Sequence, residues 1–125
     1  MLDTNICSYI IKGLIPKKKL EDKEILLSSI VVSELLYGAK KKDSKRLEQL
    51  VEYFIDTFEV VDFDLKAAHE YAYIRAYLQK QGKIIGAYDL QIAAHAKSLR
   101  ACLVTNNEKK FRRIDGLQLE NWLDK

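Results

Sequence analysis

The sequence predicts an α/β protein with three layers, α/β/α, around a short and mainly parallel central sheet. Two patterns carry that expectation. Segments whose apolar residues recur every three to four positions alternate with short β-branched runs. Strands that alternate with helices favour a parallel sheet covered on both faces. The 125 residues suit one domain over 1–125, and the 48% hydrophobic content supports a real core rather than disorder. No apolar run approaches ~18 residues, so a membrane span is not expected.

The elements follow in order. Met1 and Leu2 leave only two residues for a first strand before Asp3. A helix is expected over 4–12, with Ile6, Cys7 and Ile10 on one side and Gly13 ending it. Residues 16–23 form a basic connection with room for a short helix. Residues 25–28 read as a buried strand leading into a helix over 31–41. Asp43 is placed to cap the next helix, whose Leu47, Leu50, Val51, Phe54 and Phe58 keep a helical period. A strand over 59–63 follows. Asp64 caps a helix with Leu65, Ala68, Tyr71, Ala72 and Leu78 inward, closed by Gly82. Residues 83–88 form a loop, 89–99 a helix and 101–105 a strand. Residues 106–113 are polar and basic, and Gly116 turns into a last strand over 117–120.

Three acids stand on the apolar stripes of their helices instead of the polar faces. Asp3 lies in line with Ile6, Cys7 and Ile10, and Asp89 with Ile92, Ala93 and Ala96. Glu34 lies in line with Ile30, Val31, Tyr37 and Gly38. Asp3 and Asp89 each also suit an N-cap, which satisfies the free N–H groups of a helix start. Glu34 has no such role, and an unpaired buried carboxylate costs several kcal/mol, roughly. Strand-to-helix junctions converge at one edge of a doubly wound sheet, where three carboxylates would repel one another. A hard divalent cation, Mg²⁺ or Mn²⁺, removes that conflict with oxygen ligands alone. His69 and His95 lack partners at metal-ligand spacing and read as helix-surface or capped residues.

The net charge is only +3, but the cations cluster at Lys17 to Lys19, Lys40 to Lys42, Lys109–Lys110 and Arg112–Arg113. Such clusters suit either a polyanion or a solvated surface. Cys7 and Cys102 sit in apolar surroundings without disulfide or zinc spacing, as expected of reduced thiols in the cytoplasm. Asp3 stands where a secretory signal would be basic, and no apolar core follows.

Four segments carry a resemblance: Met1 to Ile6 (MLDTNI), Ser33 to Gly38 (SELLYG), Ile85 to Ala94 (IGAYDLQIAA) and Leu103 to Asn107 (LVTNN). In that order and separation they resemble the PIN-domain toxins of VapBC toxin–antitoxin modules, with likeness continuing to Glu120, Asn121 and Trp122. The resemblance implies a PIN-like fold and a Mg²⁺- or Mn²⁺-dependent endoribonuclease that arrests growth by cutting RNA, commonly tRNA. It implies a homodimer held inactive by a VapB-type antitoxin whose tail fills the active groove, and operator DNA bound only through that complex. Carried over by position, Asp3, Glu34 and Asp89 are the catalytic and metal-binding acids. Thr4, Asn5, Thr105, Asn106 and Asn107 occupy the polar supporting positions. Lys109, Lys110, Arg112 and Arg113, just past Thr105, are the expected RNA-binding cations.

Many PIN domains carry a fourth acid where this chain has Asn106 and Asn107, which points to one tight metal site and a weak second at most. A dehalogenase-like phosphatase would need Asp where Asn5 stands. A receiver domain would need paired acids at the end of the first strand. The remaining competitor is a catalytically inactive PIN-like module that binds RNA or a partner.

Overall fold

The computed structural model describes residues 1–123. Its helices are α1 (Thr4–Ile11), α2 (Ser29–Lys42), α3 (Lys45–Thr57), α4 (Leu65–Lys80), α5 (Ala87–Ser98) and the single turn α6 (Glu108–Phe111). Its strands are β1 (Leu26–Ser28), β2 (Glu59–Val61), β3 (Leu103–Val104) and β4 (Leu119–Glu120). β1 pairs with β2 and β3 with β4, both in parallel. Leu2 joins the two pairs: it bridges Val104 in parallel, and its amide donates to the Leu26 carbonyl at 3.3 Å. The expected parallel α/β order is therefore present, with strands of two or three residues. Each is shorter than the segment that marks it in the sequence.

The core gathers Leu2, Ile6, Leu27, Val31, Leu90, Ile92 and Leu103, all essentially inaccessible to water. α5 is buried along most of its length, from Leu90 through Ser98, and packs chiefly on α4. Small residues at Ala93, Ala94 and Ala96 allow that close approach.

Several local expectations are corrected. α3 is capped by Ser44, whose hydroxyl accepts from the Leu47 amide at 3.2 Å, and not by Asp43. Asp43 instead ends α2 in the left-handed conformation, φ 51°, which aspartate tolerates better than most residues. α2 begins at Ser29, two residues early, because the Ser28 hydroxyl caps it. α5 begins at Ala87 after Gly86, so Asp89 lies inside its first turn and does not cap it. Leu65 and Ala72 face outward on α4; Ala67, Ile74 and Leu78 form its buried side. α6 rises within the polar and basic stretch 106–113, where the sequence predicts no helix, anchored by the buried Phe111. His95 is a core residue and not a surface one: its Nδ1 lies 2.8 Å from the Ser28 hydroxyl, and Phe63 packs edge-on against its ring. Cys7 is buried and Cys102 partly so, both free thiols that burial pushes toward the protonated form.

Candidate active site

Asp3 ends the extended run that holds Leu2 in the sheet. Its amide donates to the Val104 carbonyl at 3.1 Å, and its Oδ1 accepts from the Ile6 amide at 3.0 Å. The side chain thus caps α1 while only 7% of the residue remains exposed. Burial raises its carboxyl above the ordinary aspartate range. The Thr105 hydroxyl and the Ile6 amide pull it back, the negative Asp89 pushes it up, and Lys110 lowers it. Asp3, Asp89, Thr105 and Lys110 therefore share one electrostatic environment.

Asp89 reaches this place from the first turn of α5. Lys110, from α6, sets its ammonium 2.7 Å from Asp89 Oδ2, with about a third of each side chain exposed, 34% and 31%. The α5 start is held by Tyr88, whose hydroxyl donates to the Ile30 carbonyl on α2 at 2.8 Å. Nothing in the sequence marks that tie, since a tyrosine beside a turn has many possible partners.

Glu34 stands apart in one respect. It lies in the second turn of α2, half-buried, with Tyr37 on the same line 60% exposed. That stripe is therefore a border of the core rather than part of it. Among the described residues, no three carboxylate, histidine or cysteine side chains are grouped closely enough to hold one ion.

The polar neighbours divide. Thr105 is fully buried, and its hydroxyl accepts from the Asn107 amide at 3.0 Å. Thr4 Oγ1 and Asn106 Oδ1 are buried oxygens without hydrogen-bond partners among the described residues. Asn5 and Asn107 face outward. Unsatisfied buried oxygens are rare in folded proteins and each calls for an explanation, a functional role among them. Two carboxylates, one of them buried, with oxygens on the residues next to Asp3 and Thr105 along the chain, are donors of the kind that a hard divalent cation takes. The buried His95 has its Nδ1 engaged with Ser28, and the buried Cys7 near Asp3 is held in the protonated form by burial.

The four expected RNA-binding cations also divide. Lys110 is turned onto Asp89 and is not free. Lys109 is exposed. Arg112 pairs with Glu108 at 3.0 Å, and Arg113 donates to the Ile84 carbonyl at 3.2 Å. Lys109, Arg112 and Arg113 line an open cleft of about 450 Å³ together with Gly82 and Lys83. The sequence marks Lys83 only as part of a loop; its distance along the chain hides its approach to α6. Of the other basic clusters, Lys17 to Lys19 lie exposed on a short 3₁₀ turn, and Lys40 pairs with Glu48 at 3.1 Å.

Residues 1–117 match the PIN domain family. A tRNA(fMet)-specific endonuclease VapC of Shigella flexneri is 39% identical over 98% of this chain and 96% of its own. Ribonuclease VapC2 of Rickettsia felis is 43% identical, again over 98% and 96%. The crystal structure of VapBC2 from Rickettsia felis, bound to a DNA fragment from its promoter, superposes with a TM-score of 0.91 at 42% identity, covering 98% of this chain and 97% of that one.

Proposed function

This chain belongs to the PIN domain family, among its VapC ribonucleases, and from that premise we propose that it is the toxin of a type II toxin–antitoxin module: an endoribonuclease that arrests growth by cutting tRNA. It is a nuclease of the hydrolase class, acting on phosphodiester bonds. The observation that carries the mechanism is a buried Asp3 at the end of the Leu2 bridge that is electrostatically coupled to Asp89, itself held by Lys110 at 2.7 Å, on the turn that also carries Lys109 of the basic cleft.

The finer reading is Mg²⁺ or Mn²⁺ dependence. Asp3 and Asp89 would hold the cation, with Glu34 the third acid from α2 and the unpartnered oxygens of Thr4 and Asn106 as supporting groups. Bound there, the cation supplies Lewis-acid charge and a more acidic water. The chain does the rest. The Ile6 amide fixes the Asp3 carboxylate, and the Thr105 hydroxyl favours its charged form. The Tyr88 tie fixes the first turn of α5 and with it Asp89. Lys83, Lys109, Arg112 and Arg113 receive the RNA backbone, whose phosphates dominate affinity. Asn106 and Asn107 replace the anionic charge that a second tightly held cation would need.

The partners follow from the same reading. A VapB-type antitoxin holds the toxin inactive; the solved relatives from Rickettsia felis and Salmonella typhimurium are VapBC complexes on DNA. The pair binds its operator DNA through the antitoxin, and the toxin acts as a homodimer in the cytoplasm. No helix among the described residues is long and apolar enough to cross a membrane.

The test is cleavage of purified tRNA with Mn²⁺, with and without EDTA, and 5′-end mapping of the products. Cleavage at one site that EDTA abolishes is expected. Tight RNA binding without cleavage at any Mn²⁺ or Mg²⁺ concentration would establish the inactive-module reading instead.

A further inference from the structure

Lys110 makes a contact that neither helix capping nor surface solvation explains. Asp89 does not cap α5, because Gly86 holds that position. The pair spans 21 residues and joins two different helices, so it is not the local i,i+4 bridge that Arg112 makes with Glu108. Phe111, with 1% of its surface exposed, pins the α6 turn. On that turn Lys109 faces the basic cleft while Lys110 faces the acids. The ammonium lies 2.7 Å from Asp89 Oδ2. A Mg²⁺ or Mn²⁺ ion held by Asp89 would put a second cation on the same side chain. Both cannot occupy it at low cost.

We infer that Lys110 is a built-in competitor of the divalent cation: it neutralises the Asp3–Asp89 pair in the metal-free protein and has to be displaced for metal to bind. The inference rests on the reading of Asp3 and Asp89 as metal ligands. Lys110 thereby sets how much free metal the enzyme requires.

Calorimetric titration with Mn²⁺ tests it on the full chain, with Lys110→Met, Lys110→Gln, Lys110→Arg and Lys109→Met beside the wild type. Each variant is first checked by its melting curve. Lys109→Met removes the same charge one residue away and reports the general electrostatic gain. Lys110→Met and Lys110→Gln are expected to bind Mn²⁺ about fivefold tighter than wild type, the scale of one partly exposed ion pair removed. Lys109→Met should gain less than about twofold, since an exposed charge is screened. Lys110→Arg keeps the competing charge and should bind no tighter than wild type. If the two neutral Lys110 variants gain no more than Lys109→Met, the inference is overturned and the metal site stands. If neither the wild type nor any variant takes up Mn²⁺, the metal reading falls and takes the inference with it.

Discussion

His95 Nδ1 lies 2.8 Å from the hydroxyl of Ser28, so a buried imidazole on α5 is tied to the residue that caps α2. Burial holds the folded-state pKa of His95 below its ordinary value, against smaller opposing effects from Asp64 and Asp62. Between that lowered value and the unfolded pKa of about 6.5, the unfolded chain binds the extra proton and the native one does not. Stability from this residue is therefore present above about pH 6.5 and falls on acidification, by at most ~1.4 kcal/mol per pH unit. Melting temperatures from pH 7.5 to 5.5 should drop for the wild type. His95→Gln should start lower and show a flatter slope; equal slopes would mean that His95 is not the group responsible.

Asp3 gives the opposite sign. Its carboxyl is raised, chiefly by burial, so ionising it costs the native state more than the unfolded one. Asparagine caps a helix as well as aspartate does. Asp3→Asn should thus keep α1 intact and raise the melting temperature of the metal-free protein by a few degrees. The gain should be present at pH 7 and vanish as pH falls through the aspartate range. RNA cleavage should be lost by at least about 100-fold. A variant that melts lower than wild type at pH 7 would show that the carboxylate is satisfied without a cation.

For Asp89→Asn the expected balance is close to zero in stability. It loses the partly exposed pair with Lys110, worth about 0.2–1 kcal/mol, and it relieves repulsion on Asp3. Because Gly86 supplies the helix start, no capping is at stake. Cleavage should fall as far as in Asp3→Asn, while the melting temperature stays within about 3 °C. Near wild-type cleavage by purified Asp89→Asn would remove this residue from the mechanism.

The basic cleft is checked by the salt dependence of RNA binding. Neutralising Lys83, Lys109, Arg112 and Arg113 together should flatten the slope of log K against log salt by up to about 3.6, at roughly 0.7–0.9 for each phosphate that the protein ceases to neutralise. Neutralising Lys17, Lys18 and Lys19 instead should change it little. Equal effects of the two sets would assign binding to net charge and not to the cleft.

The α2–α3 corner tests the corrected cap. Ser44→Ala should cost about 1 kcal/mol, since it removes the acceptor of the Leu47 amide. Asp43→Gly should be neutral or stabilising by up to ~1 kcal/mol, because glycine adopts φ near +51° without strain. Urea midpoints measure both, and the reverse order would restore Asp43 as the cap.

Much of the molecule is legible from period and punctuation. Five of the helices and all four strands fall where apolar spacing places them, and Asp3 and Asp64 cap as their positions suggest. Boundaries fail where one polar residue has a neighbour of equal capping skill, as with Asp43 and Ser44. α6 is hidden because its four residues carry one apolar side chain, and the fold supplies what burial it has. Within the site, Asp3 and Asp89 are visible as acids on apolar stripes. The partners that orient them are not. Lys110, Tyr88 and Lys83 act across 21 residues or more, at ranges where sequence spacing carries no geometric information.

The bridge between Leu2 and Val104 bears on the birth of the protein. The Met1 amino group bonds the Cys102 carbonyl at 2.8 Å, and the Asp3 amide needs the Val104 carbonyl. At ~5–20 residues per second, a ribosome needs roughly 5–20 s to supply those partners after it has made Asp3. Throughout that interval the first acid has no pocket, and neither Asp89 nor Thr105 yet stands beside it. The site therefore cannot assemble before Thr105, in the last fifth of the chain, has been made.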